Sequence, residues 1–133
     1  MTEFASLDRC AAYVSVRTAL EAVHRVTPAW PADLAKQAKR AALEAVMATA
    51  ESTSFGYATP GRRRCVRAAI SSAIDLAAVC DIAKAVGIRE GDLDEALRSA
   101  GHAIALLGLL FHASASPFLE SERPPRSAIS YAD

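Results

Sequence analysis

Residues 60–87 read PGRRRCVRAAISSAIDLAAVCDIAKAVG, and within them Val66, Ala69, Ala73, Leu76, Cys80, Ala83 and Gly87 recur at alternating steps of three and four. That spacing places all seven on one stripe of a helix, the pattern of a bundle seam. Thr59 suits the N-cap, Pro60 the first helical position and Gly87 the exit. The stretch therefore predicts one long helix with a narrow, small-residue core face.

Working outward, three further segments carry the same signature. Upstream, Val16, Ala19, Val23, Val26 and Trp30 predict a first helix over 6–26, with Ser6 as its cap and Trp30 covering the bundle end. Thr27-Pro28-Ala29-Trp30-Pro31 ends it, because proline disfavours helix at the residue before it. Leu34, Ala38, Ala41, Ala45 and Ala48 predict a second helix over 31–53. Residues 52–58, with Ser54, Phe55, Gly56 and Tyr57, have no helical period and read as a loop whose aromatics either tuck onto the bundle or stack on a base or a partner ring. Downstream, 88–92 is a short connection, and Leu93, Leu97, Ala100, Ile104, Leu107 and Phe111 predict a fourth helix over 90–113. Asp92, Asp94 and Glu95 suit its positive N-terminal end.

Short connections make neighbouring helices antiparallel. The expected fold is an all-α, up-down-up-down four-helix bundle over 1–113. An irregular tail follows over 114–133, where Pro117, Pro124 and Pro125 break any period.

Composition narrows the function classes. Basic and acidic residues balance at 15 each, so no global attraction to nucleic acid or an anionic membrane follows. Alanine supplies much of the apolar content, and each alanine buries little area. A lone copy is thus expected to be short of core, which favours self-association. Leu106, Leu109 and Leu110 widen the apolar surface of the fourth helix beyond one seam and are the predicted oligomer contact.

Cys10, Cys65 and Cys80 form no disulfide framework and no Cys-x-x-Cys pair. Cys80 reads as a buried small hydrophobe. Cys65, after three arginines, is either a thiol of lowered pKa or plain packing. With no signal-peptide h-region, a reducing cytoplasm is expected. The longest apolar run, 103–111, falls short of the ~20 residues that span a bilayer.

The most suggestive charge feature is basic: Lys36, Lys39, Arg40, Arg62, Arg63, Arg64 and Arg67, with only Glu44 and Glu51 among them as acids. Arginines at a helix N-terminus oppose its macrodipole by roughly 0.3–1 kcal/mol when exposed. Either they hold an anion such as nucleic acid, or they form a solvated run paired with Glu44 or Glu51.

Catalytic groupings are sparse. Glu21 and His24 match one Glu-x-x-His of a di-iron bundle, but no second copy exists, so no metal or other cofactor is expected. Arg17 and His24 share a helix face at the spacing of some helical-bundle ribonucleases, although without the polar neighbour usual beside the arginine. Arg98 and His102 are too close for that motif. The expected function is a non-enzymatic scaffold. The alternatives are an adaptor binding a protein through the fourth helix and tail, and a ribonuclease.

Several motifs run in a shared register. Trp30-Pro31 enters the second helix, followed by Leu34, Gln37, Arg40, Ala41, Ala42, Ala50 and Glu51. Ser71-Ser72 and Asp75-Leu76 lead to Ala83-Lys84 and Gly87. In these respects residues 5–113 resemble the small four-helix-bundle family named for proteins encoded in intervening sequences of large-subunit ribosomal RNA genes. That family includes accessory variability proteins of diversity-generating retroelements. Ala48 and Ser52 stand where the family has Asn and Gly. The resemblance implies an antiparallel bundle assembled as a ring of five, with no catalytic residue. Retroelement members are basic and associated with nucleic acid, whereas this chain is neutral. Gln37, Arg40 and Glu51 are expected to form a polar network between the second and third helices.

Overall fold

A computed structural model describes residues 7, 9–56, 58–88 and 91–114, with Asp92 and Ser114 described by backbone alone. Its main elements are α1 (Ala11–Val26), α2 (Ala32–Ser52), α3 (Pro60–Ala85) and α4 (Gly91–Ser114). A single 3-10 turn, Thr27–Ala29, joins α1 to α2, and no strand occurs among the described residues. Each helix packs on its chain neighbour, and α4 closes on α1. This is an all-α, antiparallel four-helix bundle.

The core shows the up-down order directly. At one end, Val23, Val26 and Trp30 from the exit of α1 meet Ala35 and Ala38 from the entry of α2. Leu76, Cys80 and Ala83 from late α3 and Leu93 and Ala96 from early α4 complete that cluster. At the other end, Ala12 and Val16 of early α1 meet Ala45 and Val46, Val66 and Ala69, and Ala103 and Leu107. Early and late segments alternate around each end, as antiparallel neighbours require.

Every interior position of the α3 stripe from Val66 to Ala83 is at most 1% exposed. Alanine on facing stripes lets backbones approach, so the core is thin: its largest fully buried side chains are leucines, valines and smaller residues. Two buried hydroxyls of α2 are satisfied locally. Thr49 Oγ1 donates to the Ala45 carbonyl at 2.7 Å and Ser52 Oγ to the Thr49 carbonyl at 2.6 Å.

The ends of α3 follow the sequence reading. Thr59 Oγ1 accepts from the Arg62 N–H at 3.2 Å. Gly87 has φ +101°; its N–H bonds to the Lys84 carbonyl, and that of Ile88 bonds to the Ala83 carbonyl. That pair of bonds is a Schellman exit, which needs the left-handed residue.

Three details differ. First, α1 starts at Ala11, because Cys10 is extended (φ −87°, ψ 109°) and interrupts the chain after Leu7 and Arg9. The Ser6 cap lies outside the described residues, as do Tyr57, the 114–133 tail beyond Ser114, and Glu90. Second, the α2 seam is rotated: Ala38, Ala41 and Ala45 are buried as expected, but Leu34 and Ala48 are half-buried, and Ala35, Ala42, Val46 and Thr49 are buried beside them. Third, Phe55 is 37% exposed, yet its ring lies so close over Gly61 that a Cβ there would strike it.

Candidate functional site

The bundle divides the seven predicted cations between its two ends. Because α2 and α3 run antiparallel, Lys36, Lys39 and Arg40 lie beside the later part of α3. There Arg40 shares a shallow groove with Gln37, Glu44, Asp75 and Val79. Arg62, Arg63, Arg64 and Arg67 open α3 at the opposite end. From Arg67, the last of these, to Asp75 the helix climbs about 12 Å at 1.5 Å per residue. The cations do not form one patch.

Each group is also partly engaged. Arg40 Nε pairs with Glu44 Oε2 at 3.5 Å. The Arg63 and Arg67 guanidinium carbons sit 5.0 and 5.4 Å from the centroid of the Phe111 ring of α4. Arg62 Nη1 donates to the Phe55 carbonyl at 3.4 Å. Placement of Arg63 and Arg67 on the face of an aromatic ring offsets the unfavourable macrodipole position, since a cation on a ring face contributes about 0.5–1 kcal/mol when exposed. That aromatic partner lies on another helix and was not legible from the spacing.

Of the three predicted contact leucines, the fold absorbs two. Leu106 and Leu110 pack, half-buried, against the core with Ile104 and Phe111, while Leu109 stays 67% exposed. The apolar excess instead appears on α2 and α3. Leu43 and Met47, one turn apart on the outside of α2, are 51% and 62% exposed. On α3 the row Ile70, Ile74, Ala78, Ile82 and Val86 advances in steps of four; Ile74, Ile82 and Val86 are 50%, 49% and 62% exposed. The result is two apolar ridges at neighbouring corners of the bundle.

The remaining chemistry-bearing residues do not converge. Arg17 and His24 are exposed on α1, and the Arg17 guanidinium carbon lies 5.6 Å from the Tyr13 ring centroid. Glu21 is exposed as well, so the Glu-x-x-His pair faces solvent rather than the bundle interior. Among the described residues no three His, Cys, Asp or Glu side chains gather to hold a metal.

The thiol of Cys65 is pushed up, not down. Burial comes first, Glu51 adds to it, and Arg64 pulls weakly the other way. Burial alone raises Cys80 to about 11. Glu51 is thus a neighbour of Cys65 and lies far along α2 from Gln37 and Arg40; Asp75 lines their groove instead. Residues Leu93–Ala113 of α4, with mean hydropathy 1.3, are long and apolar enough to cross a membrane by length and composition. In the bundle, Leu93, Ala96, Ala100, Ala103 and Leu107 of that stretch are core residues.

These features define the chain as an antiparallel helical bundle with unpartnered apolar ridges. No family model matches the chain, and no curated protein matches it.

Proposed function

We propose that the protein is a non-enzymatic, homo-oligomeric helical scaffold, a closed ring of like subunits. The observation that carries this reading is the pair of apolar ridges on α2 and α3. A ring requires two different contact surfaces on each copy, one of which meets the other on the next copy. Leu43 and Met47 on one corner and Ile74 and Ile82 on the next meet that requirement. Burying a half-exposed aliphatic side chain contributes on the order of 1 kcal/mol, and the thin alanine core leaves the lone subunit in need of it. The motif resemblance of residues 5–113 supports five as the number of copies.

A nucleic acid or other anion on the predicted basic cluster would have to span both ends of the α2–α3 pair. The adaptor alternative has Leu109 of α4 on its side. Light scattering of the intact protein tests the scaffold. The expected mass is five times the 14.0 kDa of the chain, and a concentration-independent monomer would refute it.

A further inference from the structure

A second surface, on the opposite side of the bundle, has a different chemistry. Between α1 and α4 lies an open cleft of about 680 Å³. Arg98 and His102, one turn apart on α4, stand on one wall, and Arg9, just before α1, stands at the mouth. None of the three has an ion pair or hydrogen bond among the described residues. Among the described residues, no carboxylate lines the cleft. Of the acids one turn before Arg98, Glu95 is held by Arg25 at 2.9 Å across the α1–α4 seam and Asp94 lies 3.9 Å from Lys84.

Ser15 makes the cleft a built site rather than a run of surface charge. It is 7% exposed and lines the cleft. Helical hydroxyls commonly bond back to the preceding turn, as those of Thr18 and Thr49 do here. That of Ser15 makes no hydrogen bond among the described residues, and Ser99 on the facing wall presents a second hydroxyl. The first turn of α1 opens at the same place. Its N-cap, Cys10, supplies no side-chain acceptor, so its initial N–H groups add positive potential. Beside the polar groups, Val14 and Leu106 give an apolar wall.

We propose that this cleft binds a small phosphate ester of nucleotide size. Arg98, His102 and Arg9 hold the phosphate by charge-assisted hydrogen bonds. Ser15 and Ser99 donate to it, and the organic part lies against Val14 and Leu106. The volume falls within the ~300–1,000 Å³ of small-ligand sites. The cleft shares no residue with the α2 and α3 ridges, so this inference stands apart from the scaffold reading.

Calorimetric titration of the full chain at low salt tests it, with adenosine 5′-monophosphate, inorganic phosphate and adenosine as probes. The nucleotide is expected to bind saturably and about tenfold or more tightly than either fragment, because both halves of the cleft contribute. Arg98→Gln and His102→Gln should each weaken it by about tenfold, the loss of one charge-assisted bond. Both side chains are exposed, and circular dichroism checks that the variants fold. Arg64→Gln, on α3 and outside the cleft, should leave affinity within about twofold. Equal binding of nucleotide and inorganic phosphate would overturn the proposal, as would equal sensitivity to Arg64→Gln, which marks diffuse electrostatics. Binding of an oligonucleotide with a steep salt slope and no dependence on Arg98 would overturn it too, by assigning the affinity to a nucleic-acid surface.

Discussion

The α1–α4 side and the α2–α3 side of the bundle share one core and little else. Outward positions of α1 and early α4 are polar: Arg17, Thr18, Glu21, His24, Arg98 and His102. The two helices between them turn Leu43, Met47, Ile74, Ile82 and Val86 to solvent. The contrast extends to helix ends. Thr59 and Gly87 close both ends of α3, whereas α1 begins at Cys10 without a side-chain cap. One side carries the capped α3 and two apolar ridges, and the other carries an open cleft lined by Arg9, Arg98 and His102. An apolar ridge matters when it is unpartnered, and that is a property of direction, not of hydrophobicity summed along a helix.

The contrast breaks most visibly in solution mass. Ile74→Lys with Ile82→Lys should reduce the proposed assembly to 14.0 kDa chains, and so should Leu43→Lys with Met47→Lys. Each variant keeps one ridge intact, so an equimolar mixture should form pairs by light scattering. A dimer of either variant on its own would mean that each ridge meets its own kind, and a mixture that stays monomeric would refute the pairing of the two ridges. Leu109→Lys, on the other side, should leave the mass unchanged.

The inner face of α3 offers the next test. Cys80 is raised from an ordinary 9.0 to about 11 by burial. The folded value lies above the unfolded one, so the thiol's contribution is complete below pH 9.0 and is lost as pH rises through about 11. The urea midpoint should fall across that window, and Cys80→Ala should remove the thiol-linked part of the fall.

Helix ends give smaller effects. Thr59→Ala should cost about 1 kcal/mol by loss of the N-cap, and Gly87→Ala about 1 kcal/mol for a side chain forced to positive φ. Both are read from urea midpoints. Smallest, Cys10→Ser should raise stability by about 0.5 kcal/mol, because it supplies the cap that α1 lacks. No gain there would mean that the N–H groups of α1 are already satisfied.

The fold was largely legible because the stripes of α1 and α3 mix valine, leucine and cysteine with polar neighbours, so their period stands out. On α2 almost every candidate is alanine, and composition alone cannot centre a seam among equals. Its true centre therefore lay one step aside, at Ala35, Ala42 and Thr49. The interruption at Cys10 carries no proline or glycine to announce it. The surfaces were harder to read. Surplus leucine on α4 suggested a contact there, but Leu106 and Leu110 find cover in the tertiary core. The isoleucines of α3 sit at steps of four on its back and looked unremarkable beside its seam. The cleft unites Arg9 and Ser15 with Arg98 and His102, far apart in the sequence, a proximity that only closure of α4 onto α1 creates.

Trp30 is the sole tryptophan of the chain. It is 6% exposed, and its indole Nε1 is buried without a hydrogen-bond partner among the described residues. An indole in so dry a setting emits at the blue end of its fluorescence range and shifts to the red when water reaches it. The protein thus carries a built-in optical gauge of one bundle end. Because that end is remote from Phe111 and from the mouth of the cleft, unequal loosening of the two ends would separate the fluorescence transition from the circular dichroism transition.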